Sequence, residues 1–333
     1  MLRTIAATAC VGILAVACSS AGPHSTASGT ASGTGSATGS AAAPTGPAGT
    51  ASVTGAFGVA PTVTISNGHP PATTQVTVVS KGTGPALQVG DLAVVDDYGR
   101  TWASSTSFQD TFNATTPPDT LPIGTGTLGL TGLDKALVGV PEGSRVLVVL
   151  PPADGFAKVT SLPTGVTKTD TAVFVFDVRA GFAGNAGPTG TAVTASAAAG
   201  LPTVSGAANV KPTIAIPKVA APTTLVTSTL LQGNGRVAAK GDELVVQYVG
   251  QIWATGKEFD SSWSRSSPVG FAIGVGQLIP AWDQGLVGVK VGSRVLIIAP
   301  PASGYGSAGQ SAAGISGTDT LVFVVDVLGA YPS

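Results

Sequence analysis

The chain has 333 residues, room for about two ordinary domains of roughly 150 residues each. Sixteen Lys and Arg face seventeen Asp and Glu, and charged residues make up only 10% of the chain, so no strong field exists to hold nucleic acid. The two histidines (His24, His69) and two cysteines (Cys10, Cys18) all lie in the first 70 residues, which leaves the remainder without the ligands for a metal–thiolate centre or the imidazole for an activated nucleophile. No cofactor or metal is expected.

In chain order, Met1-Leu2-Arg3 is a short basic segment and residues 5–17 form a small apolar run. That run is too short to cross a hydrocarbon core that needs about 20 residues. It ends in Leu14-Ala15-Val16-Ala17-Cys18, which resembles a bacterial lipobox, with Ala15 standing where Leu is usual. The resemblance implies a lipoprotein signal peptide over 1–18, acylation of Cys18, membrane attachment through that anchor, and residence on the extracytoplasmic face of a bacterial cell membrane. Residues 19–61 are rich in Ser, Gly, Thr and Ala and predict a disordered tether. Residues 183–222, of similar composition with Pro, predict a second unstructured linker.

An internal repeat separates these stretches. LVGVPEGSRVLVVLPPADGF (137–156) and LVGVKVGSRVLIIAPPASGY (286–305) share thirteen of twenty positions at an offset of 149. Gly90-Asp91, Trp102 and Phe108 match Gly241-Asp242, Trp253 and Phe259, and TAVFVFDV at 171–178 matches TLVFVVDV at 320–327. A period this long denotes a duplicated domain, over 62–182 and 223–331. In each copy, β-branched runs bounded by Gly, Pro and Ser predict strands, as at 244–249, 294–299 and 321–327. PAWDQGL at 280–286, with Pro in a first-turn position, predicts one short helix. The fold class is α+β, with several antiparallel strands and one helix on the sheet in each copy.

In the second copy, VQYVG (246–250), KEFDSSWSR (257–265), QLIPAWDQGL (277–286), VGSRVLIIAPPASGYG (291–306) and DTLVFVVDVL (319–328) resemble an FKBP-type peptidyl-prolyl cis-trans isomerase, block by block and in order. The resemblance implies two FKBP-like domains, each a half-open antiparallel sheet wrapped around a short helix. It also implies a proline pocket. Trp282 is its floor, and Tyr248, Phe259, Leu278, Ile279 and Phe323 are its walls. Tyr305 donates its hydroxyl to a substrate carbonyl, the Ile279 amide holds a neighbouring carbonyl, and Asp260 is a polar edge positioned by Arg265. Phe271 and Ile315 contribute to substrate binding, Ile315 from a loop one residue longer than usual. Val269 stands at a usual aromatic wall and Gln277 at a usual Glu. The implied partners are proline-containing segments of secreted or surface proteins, with macrolides as a ligand class.

Taken singly, a Trp, two Tyr and two Phe are more often core residues than site residues, and Asp260 before two serines can simply begin a turn. The joint pattern carries the functional reading. Aligned with it, the first copy has Asp97, Gln109, Leu133 and Phe156 at the positions of Tyr248, Asp260, Trp282 and Tyr305, so no isomerase site is expected there. The alternative activity is non-catalytic polypeptide binding, and a third reading is a passive surface lipoprotein. GTGTLG at 124–129 satisfies a dinucleotide-binding pattern without a strand–helix context, and the Asn113-Ala-Thr115 sequon carries no weight in a bacterial lipoprotein.

Overall fold

The computed structural model describes residues 47–193 and 200–333. The segment expected to be a signal peptide, Cys18 and the expected tether as far as residue 46 lie outside the described residues.

The first copy contains β1 (Ala51–Thr54), β2 (Thr62–Ile65), β3 (Gln75–Ser80), β4 (Leu92–Thr101), β5 (Ser107–Asp110), β6 (Asp119–Pro122), the one-turn helix α1 (Leu133–Ala136), β7 (Arg145–Leu150) and β8 (Ala172–Phe182). The second contains β9 (Thr191–Ala192), β10 (Thr203–Ser205), β11 (Thr213–Ala215), β12 (Val226–Gln232), β13 (Glu243–Ile252), β14 (Glu258–Ser261), β15 (Val269–Ala272), α2 (Pro280–Leu286), β16 (Arg294–Ala299) and β17 (Leu321–Tyr331). The first sheet runs β3-β7-β8-β4-β5 with β6 also on β4; the second runs β12-β16-β17-β13-β14 with β15 also on β13, and β9 extends it beyond β12. All these pairings are antiparallel. The two copies share one topology, in line with the FKBP-like α+β class. The strands at 244–249, 294–299 and 321–327 and the helix at 280–286 lie where the sequence pattern puts them.

Side-chain alternation explains why the central strands are apolar without interruption. Val295, Ile297 and Ala299 of β16 and Leu321, Phe323, Val325 and Val327 of β17 point to the core that contains α2. Leu296, Ile298, Val322 and Val324 point to the opposite face. A strand buried on both faces reads as a continuous hydrophobic run, and each face needs a cover. The helix covers one face. The other is covered by the β10–β11 hairpin, whose Val204 and Ile214 pack there with Leu201, Ile216 and Trp253. The first copy repeats this: Val53, Val63 and Ile65 of the β1–β2 hairpin cover Leu147, Val149, Val173 and Val175.

The expectation of a disordered tether to residue 61 and a disordered linker over 183–222 is therefore corrected for the described residues. These stretches hold two hairpins and the short strand β9, because the outward faces of the central strands must be removed from water. The duplication itself extends into them. SVTGAFGVAPTVTI (52–65) and TVSGAANVKPTIAI (203–216) share seven of fourteen positions at an offset of 151.

Polar stitching reinforces the first hairpin. Arg145 and Asp177 form a fully buried ion pair at 2.7 Å. The Arg145 guanidinium donates further to the carbonyls of Gly55 (2.9 Å) and Val59 (2.6 Å), and the Gly58 amide donates to Asp177 (2.6 Å). Hydrogen bonds to the carboxylate and to two carbonyls offset the desolvation of a buried guanidinium. Arg294 and Asp326 form the corresponding bidentate pair in the second copy, at 2.6 and 2.8 Å.

Between the copies, Leu92, Val94, Ala180 and Phe182 pack against Val245, Leu328 and Tyr331. Phe182 and Tyr331, which end β8 and β17, meet edge to face with centroids 6.4 Å apart.

The hairpin cover is testable. Ile214→Ala removes a buried side chain from the outer face of the second sheet and should lower stability by about 2–4 kcal/mol in urea unfolding of the full chain. A tether with no packing role would show a change near zero.

Candidate functional site

The inward face of β13 carries Leu244, Val246 and Tyr248 towards α2. Next along the strand, Gly250 has no side chain to spare: a Cβ there would stand 2.6 Å from the Phe259 ring and 3.1 Å from Phe323. The glycine lets those two rings meet edge to face at 5.6 Å. Gly99 does the same between Phe108 and Phe174 in the first copy.

Trp282, in the first turn of α2, is wholly buried. Three rings approach it almost perpendicularly: Tyr248 (5.3 Å, 87°), Phe271 of β15 (5.6 Å, 85°) and Phe323 of β17 (5.7 Å, 86°). Edge-to-face pairs of this kind are worth about 0.5–1.5 kcal/mol each beyond their burial. Leu278, Ile279 and Ile315 are buried in the same cluster, and Phe259, Val269 and Tyr305 pack against it half-buried. The loop that delivers Leu278 and Ile279 is tied to the helix by Asp283, whose carboxylate accepts from the amides of Gly274 (2.8 Å) and Gly276 (2.7 Å).

A polar triangle borders the rings. The Tyr248 hydroxyl donates to Asp260 Oδ2, and Arg265 Nη1 donates to Asp260 Oδ1. Arg265 Nη2 donates to the Tyr248 hydroxyl at 2.8 Å, with the guanidinium 5.8 Å from the Tyr248 ring centroid. The Ser261 amide adds a fourth bond, to Asp260 Oδ1 at 2.8 Å. Burial, with the Asp260 charge second, pushes the Tyr248 hydroxyl far above the ordinary phenol range. The same two causes, in the same order, raise that of Tyr305. Both stay protonated donors at any physiological pH. The Tyr305 hydroxyl and Trp282 Nε1 are buried, and neither has a hydrogen-bond partner among the described residues.

The structure thus brings together all twelve residues singled out in the second copy: Tyr248, Phe259, Asp260, Arg265, Val269, Phe271, Leu278, Ile279, Trp282, Tyr305, Ile315 and Phe323. Gln277 is exposed beside them, and Cys18 lies outside the described residues. Sequence reasoning missed Asp283, although its spacing to two glycines with positive φ (Gly274 and Gly276) is a readable loop-anchoring signal.

The corresponding cup of the first copy is filled differently. Leu133 and Phe156 are buried where Trp282 and Tyr305 stand. Phe156 packs edge-on against Phe108 at 5.6 Å. Strand register adds a position the sequence alignment did not reach: Asp119 faces Val95 as Val269 faces Val246. Gln109 Nε2 bridges two buried carboxylates, donating to Asp97 Oδ1 (3.2 Å) and Asp119 Oδ2 (2.8 Å), and Thr111 donates to Asp97 Oδ1 (3.2 Å). Burial, with the Asp119 charge second, raises the Asp97 pKa well above the carboxylate range.

The family model described as FKBP-type peptidyl-prolyl cis-trans isomerase matches twice, over residues 84–179 and 235–328. The chain is 41% identical over 118 residues to an FK506-binding protein of Streptomyces anulatus, spanning 35% of this chain and 95% of that one. It is 42% identical over 120 residues to a probable FK506-binding protein of Corynebacterium glutamicum, spanning 36% and 98%. Among solved structures, that of AtFKBP13 matches with 33% identity and a TM-score of 0.30, covering 33% of this chain and 94% of that chain.

A carboxyl whose folded-state pKa is raised contributes stability that is complete below its unfolded value and is lost as pH rises through the folded one. Asp97→Asn, a permanently neutral near-isostere, should therefore raise the melting temperature of the first domain at pH 7–8. The gain should vanish towards about pH 4, near the unfolded pKa of an aspartate. Calorimetry across that range measures it.

Proposed function

The chain belongs to the FKBP-type peptidyl-prolyl cis-trans isomerase family, and from that membership we propose that the second domain performs the isomerisation through the ring cluster around Trp282, acting on proline-containing segments of secreted or surface proteins. One observation carries the assignment. A fully buried Trp282 is boxed by three perpendicular rings, beside a Tyr305 hydroxyl with no hydrogen-bond partner.

The amide before proline is planar because nitrogen conjugates with the carbonyl, and rotation costs about 18–20 kcal/mol. No nucleophile or acid is needed to lower that barrier. The planar amide is charge-separated; the twisted amide is less so, and a dry aromatic surround disfavours the former relative to the latter. The pyrrolidine ring rests on Trp282 between Tyr248, Phe259 and Phe323. The Tyr305 hydroxyl and the Ile279 amide hold flanking carbonyls so that binding is tightest at the twisted geometry. Phe271, Leu278 and Ile315 exclude water, and Val269 leaves more room than an aromatic wall for the residue preceding proline. Asp260, fixed by Arg265, presents a negative edge to the dipole of the turning carbonyl. An acceleration of about 10⁵-fold requires about 7 kcal/mol of such differential stabilisation. The first domain, with Leu133 and Phe156 in place of the Trp floor and the Tyr donor, contributes no isomerisation.

The Leu14–Cys18 motif supports a lipid anchor and a folding-helper role at the extracytoplasmic face of a bacterial cell membrane. Macrolides that mimic a proline-containing segment are a matching ligand class.

Two measurements test this reading. On the full chain, with a proline tetrapeptide, Tyr305→Phe should lower kcat/KM about tenfold, the loss of about 1.4 kcal/mol from one donor, and Trp282→Leu should lower it more. Tyr305→Phe removes only a hydroxyl and so tests chemistry rather than folding; Trp282→Leu also opens space in a buried ring cluster, so its unfolding midpoint is measured beside its activity. Wild-type rates equal to buffer would overturn the assignment. Separately, labelling with a palmitate analogue in a bacterial host should be lost in Cys18→Ser.

A further inference from the structure

The first domain ends on the second domain's site. Immediately after β8, the Gly184 carbonyl accepts a hydrogen bond from Gln247 Nε2 at 2.8 Å. Gln247 lies on β13 next to Tyr248 and is wholly buried. Its Oε1 accepts from Ser262 Oγ, and that same Oγ accepts from the Tyr248 amide at 2.7 Å. Ser262 opens the turn Trp263–Arg265 that carries Arg265. This turn closes through Ser266, which at φ 51° is the one non-glycine with positive φ among the described residues. A left-handed conformation at such a residue persists only where its surroundings hold it. Gly184 supplies part of that surrounding, since a Cβ there would stand 2.1 Å from the Ser266 carbonyl oxygen. A second contact lies across the cluster: a Cβ at Gly270, between the wall residues Val269 and Phe271, would stand 2.4 Å from Thr120 Oγ1 of β6. The first copy has no such chain, because Asp96, at the position of Gln247, pairs instead with Arg179 at 3.2 Å.

We propose that the exit segment of the first domain is a positioning element for the isomerase site: Gly184 and Gln247 hold the 262–266 turn, and with it Arg265, in the orientation that binds Asp260 and the Tyr248 hydroxyl. A domain without a site of its own thereby acts on the activity of its neighbour. The inference rests on the site reading above, and the two fail separately.

The test is a double-mutant cycle on the full chain, read as kcat/KM with a proline tetrapeptide. Gly184→Ala and Gln247→Met, the latter keeping volume while removing both hydrogen bonds, should each lower kcat/KM about fivefold. In an Arg265→Ala background each should lower it by less than about twofold, because residues acting through one another do not add. Asn185→Ala, exposed on the same segment, should leave the rate unchanged. If Gly184→Ala fails to fold, Gln247→Met carries the same cycle. Full multiplicative losses in the Arg265→Ala background, or wild-type rates in both single variants, would overturn the positioning role while leaving the site intact. Loss of folded protein in both would make the segment a structural seam and also overturn it. An inactive wild-type chain would overturn the site reading itself, and this inference with it.

Discussion

The enclosure of Trp282 is the constraint on which the second domain depends. An indole in the first turn of a seven-residue helix cannot be buried by that helix alone, since so short a helix has almost no face to offer. The sheet buries it by bending around α2 and sending Tyr248, Phe271 and Phe323 from three different strands to meet the ring edge-on. Strand order follows from this requirement. The strands that contribute rings, β13, β15 and β17, are neighbours, and Gly250 is placed where any side chain would force Phe259 away from Phe323. The perpendicular ring contacts make this core tight.

Buried polar groups beside the rings are costly unless every charge is matched. The Asp260 side chain is only 8% exposed, and it is held by Arg265, the Tyr248 hydroxyl and the Ser261 amide together. That arrangement gives both oxygens of the buried carboxylate a donor. It also keeps Tyr248 a phenol, because the adjacent negative charge and the burial both oppose its ionisation. Tyr305 shares those pressures while having no partner of its own. The border thus separates two roles, one tyrosine committed to structure and the other left with its donor unspent.

Much of this was legible in the sequence, and the remainder was not for physical reasons. Thirteen matches in twenty residues announce a duplication, and continuous β-branched runs announce the central strands, since period and composition act locally. The hairpins at 51–65 and 203–215 were hidden because three- or four-residue strands of Thr, Val, Ser and Ala resemble a tether in composition. Their formation depends on the outer face of a sheet far along the chain. The clue lay in the central strands themselves: VLIIA (295–299), apolar at every position, has two faces to cover and one short helix to cover them. The twelve candidate residues were named through joint resemblance, and the fold gathers them in one place. Asp119 was not reached, because its equivalence to Val269 is a matter of strand register, which is set by pairing rather than by neighbouring residues.

The two copies show that framework and chemistry are separable. Both keep the inward glycine (Gly99, Gly250), the hydroxyl that accepts the strand amide (Thr111 from Asp97, Ser262 from Tyr248) and a helix aspartate, Asp134 or Asp283, the latter taking two loop amides. They differ in what fills the cup. Where the second copy sets Tyr248, Asp260 and Val269, the first sets Asp97, Gln109 and Asp119, and two carboxylates bridged by one amide leave a buried Asp97 Oδ2 with no partner. Burial, with the Asp119 charge second, raises the Asp97 pKa, and Phe156 puts no hydroxyl at the position of Tyr305. The first domain therefore keeps the framework with different side chains at the positions of Tyr248, Asp260, Trp282 and Tyr305. What it offers in return is surface: Phe182 on Tyr331, Thr120 beside Gly270 and Gly184 beneath Ser266 all lie along the side of the second domain that carries the polar border and the β15 wall.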